Sequence, residues 1–206
     1  AYLEDRLPPD HPFAGLARVL PGRPNAPEPW LLGSSGQSAL WAAELGLPYA
    51  FADFINPHGA PIAATYHARF ADSARLPAPQ CAVAVWALCA ESREEAEHLA
   101  ASHRWAFVKL RRGELIPVPE PEEAERALEE ERRAGRLDGR RHRRAVLGTG
   151  EQVREELEAV AAEYGASELI VVTIVHDHAL RRRSYEMLAE AFELAPRELT
   201  ATVHAA

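Results

Sequence analysis

Apolar positions along this chain switch repeatedly between short unbroken runs and helical spacing. The first run, 30–33, ends at Gly33-Ser34-Ser35-Gly36, after which Ala39, Leu40, Ala43 and Leu45 recur at helical intervals until Gly46 stops them. The second run, 47–54, meets the breaker Asn56-Pro57-His58-Gly59 and gives way to Ile62, Ala63, Tyr66 and Phe70 on one helical face. A third run, 81–90, is apolar at every position, as suits a strand covered on both sides. Ser92-Arg93-Glu94-Glu95 then reads as a capping box opening a helix that carries Ala96, Leu99 and Ala100 inward. Thr149-Gly150-Glu151-Gln152 is a second capping box, ahead of Val153, Leu157 and Val160, with Gly165 closing that helix. The last strand is expected over 169–175, rich in β-branched residues. Asp177 then caps a helix facing inward with Leu180, Ser184, Met187, Leu188 and Phe192. Four strands each followed by a helix predict an α/β fold with a parallel sheet and right-handed crossovers. The pattern alone leaves open whether that sheet is doubly wound or part of a barrel.

Between 120 and 144 the pattern fails, because 16 of 25 residues are charged and no apolar stripe survives. This stretch reads as a solvated helix or a mobile excursion outside the core. Residues 1–28 read as a lead-in and 29–206 as one domain. Residues 1–6 resemble the end of a helix, so a segment ahead of them is expected.

Charge narrows the function classes. The chain has 206 residues, with 31 Asp and Glu against 23 Lys and Arg, for a net charge of −8. That balance argues against nucleic acid as a partner, since phosphate-backbone binding rests on many cations. No apolar run approaches the roughly 18 residues of a membrane span. Cys81 and Cys89 bracket one run and, on a strand, stand roughly 26 Å apart, too far to bridge. A reducing, cytoplasmic setting is expected.

Candidate chemistry gathers at the strand ends. Gly33, Ser34, Ser35 and Gly36 join a strand to a helix, where free amides and the helix dipole favour an anion such as a phosphate. The competing reading is an ordinary turn with Ser35 as N-cap. A nucleophile elbow is absent, because Gln37 stands where its second glycine belongs. Neither the dinucleotide fingerprint nor a P-loop is present, and Lys109 is the chain's single lysine. His176-Asp177-His178 lacks the spacing of a metal site, and Asp177 serves better as a cap; no metal is expected. His58 and His67 have no motif between them. Trp30, Tyr49, Phe51, Phe54, Trp86, Trp105 and Phe107 fall mostly in apolar runs, where packing is the default. Arg140, Arg141, Arg143 and Arg144 read as a solvated segment without the interleaved aromatics of an RNA site.

These residues, taken in order, resemble the bacterial-luciferase-like flavin-dependent oxidoreductases, and among them the luciferase family oxidoreductases of group 1. The resemblance rests on Pro29-Trp30-Leu31-Leu32-Gly33-Ser34-Ser35-Gly36-Gln37-Ser38-Ala39 and on Ala43-Glu44-Leu45-Gly46-Leu47-Pro48-Tyr49-Ala50-Phe51-Ala52. It continues through Ala90-Glu91-Ser92-Arg93-Glu94-Glu95-Ala96 and Gly148-Thr149-Gly150-Glu151-Gln152-Val153, and ends on Glu168-Leu169-Ile170-Val171-Val172-Thr173, Asp177-His178 and Arg183-Ser184-Tyr185. It implies a (β/α)8 TIM-type barrel, of which the four units here match the C-terminal half, with reduced FMN bound at the carboxyl ends of the strands. It also implies that the turn at Gly33, Ser34, Ser35 and Gly36 contacts the flavin phosphate, and that the strand at 47–53 runs beside the flavin ring. The activity implied is monooxygenation of a small organic substrate by O2 and FMN reduced by a separate reductase; an F420-type deazaflavin is the alternative cofactor. No catalytic residue carries over. A half-barrel exposes two strand edges and an apolar inner face, so pairing with a missing N-terminal half, or as a homodimer, is expected. The alternative is a non-catalytic flavin-binding module or an inactive fragment.

Overall fold

The computed structural model describes residues 2–4, 6–17, 27–137 and 144–195. Leading into the domain are a 3-10 turn (Tyr2–Glu4) and a short helix α1 (Ala14–Ala17). Strand β1 (Leu31–Gly33) is followed by α2 (Gly36–Glu44), β2 (Tyr49–Ala52) by α3 (Ala60–Arg69), and β3 (Cys81–Cys89) by α4 (Arg93–Arg111) and α5 (Pro121–Arg133). Then come β4 (Val146–Gly148), α6 (Gly150–Tyr164), β5 (Glu168–Val172) and α7 (His178–Ala191). The four expected strand-helix units are all present. A fifth strand, β4, joins them; at three residues it is too short to leave a periodic signal.

All pairings are parallel. β2 pairs with 81–84 of β3 and β5 with 82–86, so these two partners occupy opposite edges of β3. β4 pairs with 87–89, beyond both. Every residue of β3 is buried, as its unbroken apolar run predicts. Its odd positions, Val83, Val85 and Ala87 among them, pack with Ala39, Ala63, Tyr66, Leu157 and Val160 from α2, α3 and α6. Its even positions Trp86 and Leu88 pack instead with Ala96, Leu99 and Ala100 of α4 and with Val175. Each large apolar side chain so buried contributes roughly 1.5–3 kcal/mol.

Some details depart from the sequence pattern. On α2 the inward residues are Ser38, Ala39, Ala42 and Ala43, while Leu45 is exposed. Gly46 ends this helix with φ of +57°, and a Cβ there would meet Ser73 Cβ at 2.6 Å. On α7 Ser184 is buried, whereas Leu180 lies near the surface. The charged stretch contains α5, which docks on α4 through Ala101, Trp105 and Ala124. Glu131 anchors it further, taking Arg112 Nη2 at 2.5 Å and Arg136 Nη2 at 2.8 Å. Arg140, Arg141 and Arg143 lie outside the described residues.

The sheet ends in strands with open edges. Among the described residues β1, β5 and the short β4 each pair with one strand only. Leu32 and Ile170, on the same face by register, are 60% and 45% exposed. No described helix is long and apolar enough to cross a membrane.

Candidate functional site

At the carboxyl end of β1 the chain turns through Ser34 and Ser35 into α2. Ser35 is extended and caps the helix, its Oγ accepting the Ser38 N–H at 3.3 Å. Ser38 returns the contact, its Oγ accepting the Ser35 N–H at 3.3 Å, so the box closes with serine where Glu or Gln is usual. The Ser38 hydroxyl donates to the Ser35 carbonyl at 2.8 Å. It also lies 3.0 Å from the Tyr49 hydroxyl, and either oxygen can be the donor in that contact. Tyr49 is fully buried, and burial, more than it is offset by Ser38, raises its pKa. Gly33 is required here by contact, because a Cβ would stand 2.2 Å from Ser38 Oγ.

Amides that begin a helix have no intrahelical partner. The Ser35–Ser38 box satisfies two of them and leaves those of Gly36 and Gln37. Ser35, Gly36 and Gln37 are exposed, and a Cβ built on Gly36 meets nothing within 4 Å. Two amides without an intrahelical partner, on exposed residues at the positive end of a helix, are chemically suited to an anion. The N-cap reading and the anion reading of this turn hold together, since the cap uses Ser35 Oγ and leaves these amides unclaimed.

The loop after β2 supports this turn. Asn56 Nδ2 donates to the Ser34 carbonyl at 3.2 Å, and its Oδ1 accepts the His58 N–H at 3.2 Å. Inside the same loop, Asp53 is fully buried. Its Oδ1 accepts the Tyr164 hydroxyl at 2.8 Å and lies 3.2 Å from Arg144 Nε. Tyr164 also accepts the Gly59 N–H at 3.1 Å, and Arg144 Nη2 donates to Glu163 at 2.8 Å. Burial raises the Asp53 pKa, and the Tyr164 and Arg144 contacts only partly oppose it. Burial first, then Asp53, pushes the Tyr164 hydroxyl up as well. Sequence reading did not single out Asp53 and read Arg144 as solvated. The available signal was an aspartate at the end of an apolar run, with no pattern naming its partners 91 and 111 positions away.

The remaining candidates take structural roles. Asp177 caps α7 by accepting the Leu180 N–H at 2.8 Å, and His176 Nδ1 lies 2.8 Å from the Val118 carbonyl. No group of three metal-binding side chains exists among the described residues. His67 Nε2 lies 3.3 Å from the Tyr164 carbonyl while His58 is exposed, so the two do not form a pair. Tyr49, Phe51, Trp86 and Trp105 are buried, as packing predicts. Cys81 and Cys89 are free and buried, with thiol pKa values raised by burial to about 11.

The family model for luciferase-like monooxygenases matches residues 9–168. Uncharacterized protein YwcH of Bacillus subtilis strain 168 is 40% identical over 193 residues, which are 93% of this chain and 57% of that protein. The crystal structure of apo-MsnO8 superposes with a TM-score of 0.76 at 38% identity, covering 86% of this chain and 54% of that one. The oxygenating constituent of 3,6-diketocamphane monooxygenase from Pseudomonas putida, solved in complex with FMN, shares the fold at a TM-score of 0.53 and 18% identity, over 81% of this chain and 48% of that one. The chain thus spans about half the length of the proteins it matches. The parallel strand-helix units described above have the fold of luciferase-like monooxygenases, whose barrels this chain matches over about half their length.

Proposed function

Because the chain belongs to the luciferase-like monooxygenase family, we propose that it binds FMN by its phosphate at the start of α2 and works in flavin-dependent monooxygenation of a small organic substrate. The observation that carries this reading is the pair of amides at Gly36 and Gln37, which the Ser35–Ser38 box leaves without a partner in the helix, on exposed residues with open space around Gly36. A dianionic phosphate suits such a site better than a neutral ligand, since both the amides and the helix dipole are worth most against negative charge. FMN accompanies the same fold in the diketocamphane enzyme.

When bound and reduced, the flavin supplies the redox chemistry by which one atom of O2 reaches the substrate. The chain's own residues hold and orient. Gly36 and Gln37 donate their N–H groups to the phosphate. Ser34 offers a hydroxyl, while Ser35 Oγ is held by Ser38, and Gly33 lets Ser38 approach closely enough to fix the turn. The site lies at the carboxyl ends of β1 and β2, the end where barrel enzymes keep their chemistry.

Titrating oxidised FMN into the purified protein tests binding, and oxygen uptake with NADH and a flavin reductase tests turnover. Saturable FMN binding and substrate-stimulated oxygen consumption are expected. FMN binding without turnover would reduce the chain to a flavin-binding module; no binding would overturn the reading altogether.

A further inference from the structure

The Ser34–Ser35 peptide is held at both of its polar ends. Its carbonyl accepts from Asn56 Nδ2 at 3.2 Å, and its N–H donates to Ser38 Oγ at 3.3 Å. A peptide unit is planar, so holding its C=O and N–H orients the plane, and the Ser35–Ser38 box, with Ser35 at φ −127° and ψ 156°, carries that orientation on to the next amides. Those are the amides of Gly36 and Gln37.

Asn56 is suited to this by having a donor and an acceptor on one rigid group. Its Oδ1 accepts the His58 N–H at 3.2 Å, which leaves Nδ2 to face the Ser34 carbonyl. Aspartate would lack the donor. The loop that carries Asn56 is in turn tied across its ends, because the Tyr164 hydroxyl donates to Asp53 at one end and accepts from Gly59 at the other. Gly59 has no freedom to become larger, since a Cβ there would lie 1.9 Å from Phe51 Cζ.

We propose that Asn56 is a positioning residue that pre-orients the Gly36 and Gln37 amides for a phosphate monoester by clamping the Ser34–Ser35 peptide, with the Asp53–Tyr164–Gly59 contacts holding Asn56 in place. The proposal rests on the phosphate-binding reading of this turn. The effect of Asn56 passes through the backbone of a neighbouring loop.

The test compares FMN with riboflavin, which differs only in lacking the phosphate. In Asn56→Ala, FMN affinity is expected to fall about tenfold, as for loss of one buried polar contact, while riboflavin affinity stays within about twofold. Tyr164→Phe should shift the same ratio in the same direction by less. Equal losses for both flavins, or none, would overturn the role of Asn56. If the unsubstituted protein already binds the two flavins equally, the phosphate reading itself fails, and this proposal with it. A measurement without flavin stands beside it: amide hydrogen exchange at Ser35 in the free protein should quicken severalfold in Asn56→Ala, and unchanged exchange would refute the clamp.

Discussion

The Tyr164 hydroxyl donates to Asp53 Oδ1 at 2.8 Å across 111 positions of sequence, and the Tyr164 oxygen accepts the Gly59 N–H at 3.1 Å. One phenol at the end of α6 thereby closes the loop that follows β2. Removing it in Tyr164→Phe leaves Asp53 buried with one partner fewer. The expected cost is about 1–3 kcal/mol, read as a lower urea midpoint at neutral pH. The Tyr164→Phe and Asp53→Asn losses should combine less than additively, because they share one contact. An unchanged midpoint in Tyr164→Phe would show that the contact carries no stability.

Acid sensitivity should trace to Glu131. Its hydrogen bonds with Arg136, and then with Arg112, hold its carboxyl at about 2, against an ordinary 4.5. Between those values the unfolded chain binds the extra proton, so this residue's contribution is complete above the ordinary value and is lost as pH falls toward 2. Glu131→Gln should therefore flatten the loss of stability between pH 5 and 3, followed by urea unfolding. Asp53 works with the opposite sign: its raised pKa favours the folded state on the acid side and withdraws that advantage as pH rises. An acid limb as steep in Glu131→Gln as in the parent would contradict this assignment.

Two glycines three residues apart should respond in opposite ways. Gly33→Ala places a methyl 2.2 Å from Ser38 Oγ and should cost about 1–3 kcal/mol while breaking the capping box. Gly36→Ala meets open space at the first turn of α2 and should leave stability unchanged or raise it by about 0.4–1 kcal/mol. Thermal melts of the two variants check this. FMN binding should weaken in both, since the methyl at Gly36 fills the space the phosphate needs.

Cys81 and Cys89 are buried in β3 with thiols raised to about 11. The native protein should be inert to a thiol-specific disulfide reagent at pH 8, and both thiols should react once urea unfolds it. Rapid labelling of the folded chain would mean that β3 opens readily.

The fold was readable where a residue's neighbours in sequence decide its environment. The unbroken run of β3, the Thr149–Gln152 box and the glycine stops at Gly46 and Gly165 all act within one turn or strand, and all appear where the pattern places them. β4 escaped because three residues carry no period; the helix over the charged stretch was among the readings, but its docking on α4 was not, because the seam is built from Ala124 and Ala127, which a charge count hides. At the candidate site the turn from Gly33 to Gly36 was legible from its glycines and serines. Asn56, Asp53, Tyr164 and Arg144 were not, since each acts through a partner at least 22 positions away that only the packing of β1, β2 and α6 brings near.

The central claim is that the amides of Gly36 and Gln37 receive a flavin phosphate, and amide proton–nitrogen NMR of the labelled chain during FMN addition tests it most directly. The largest shifts should fall on Gly36 and Gln37, with much smaller ones on the same two signals when riboflavin is added. Shifts that leave both signals unmoved, or that riboflavin reproduces in full, would contradict the account.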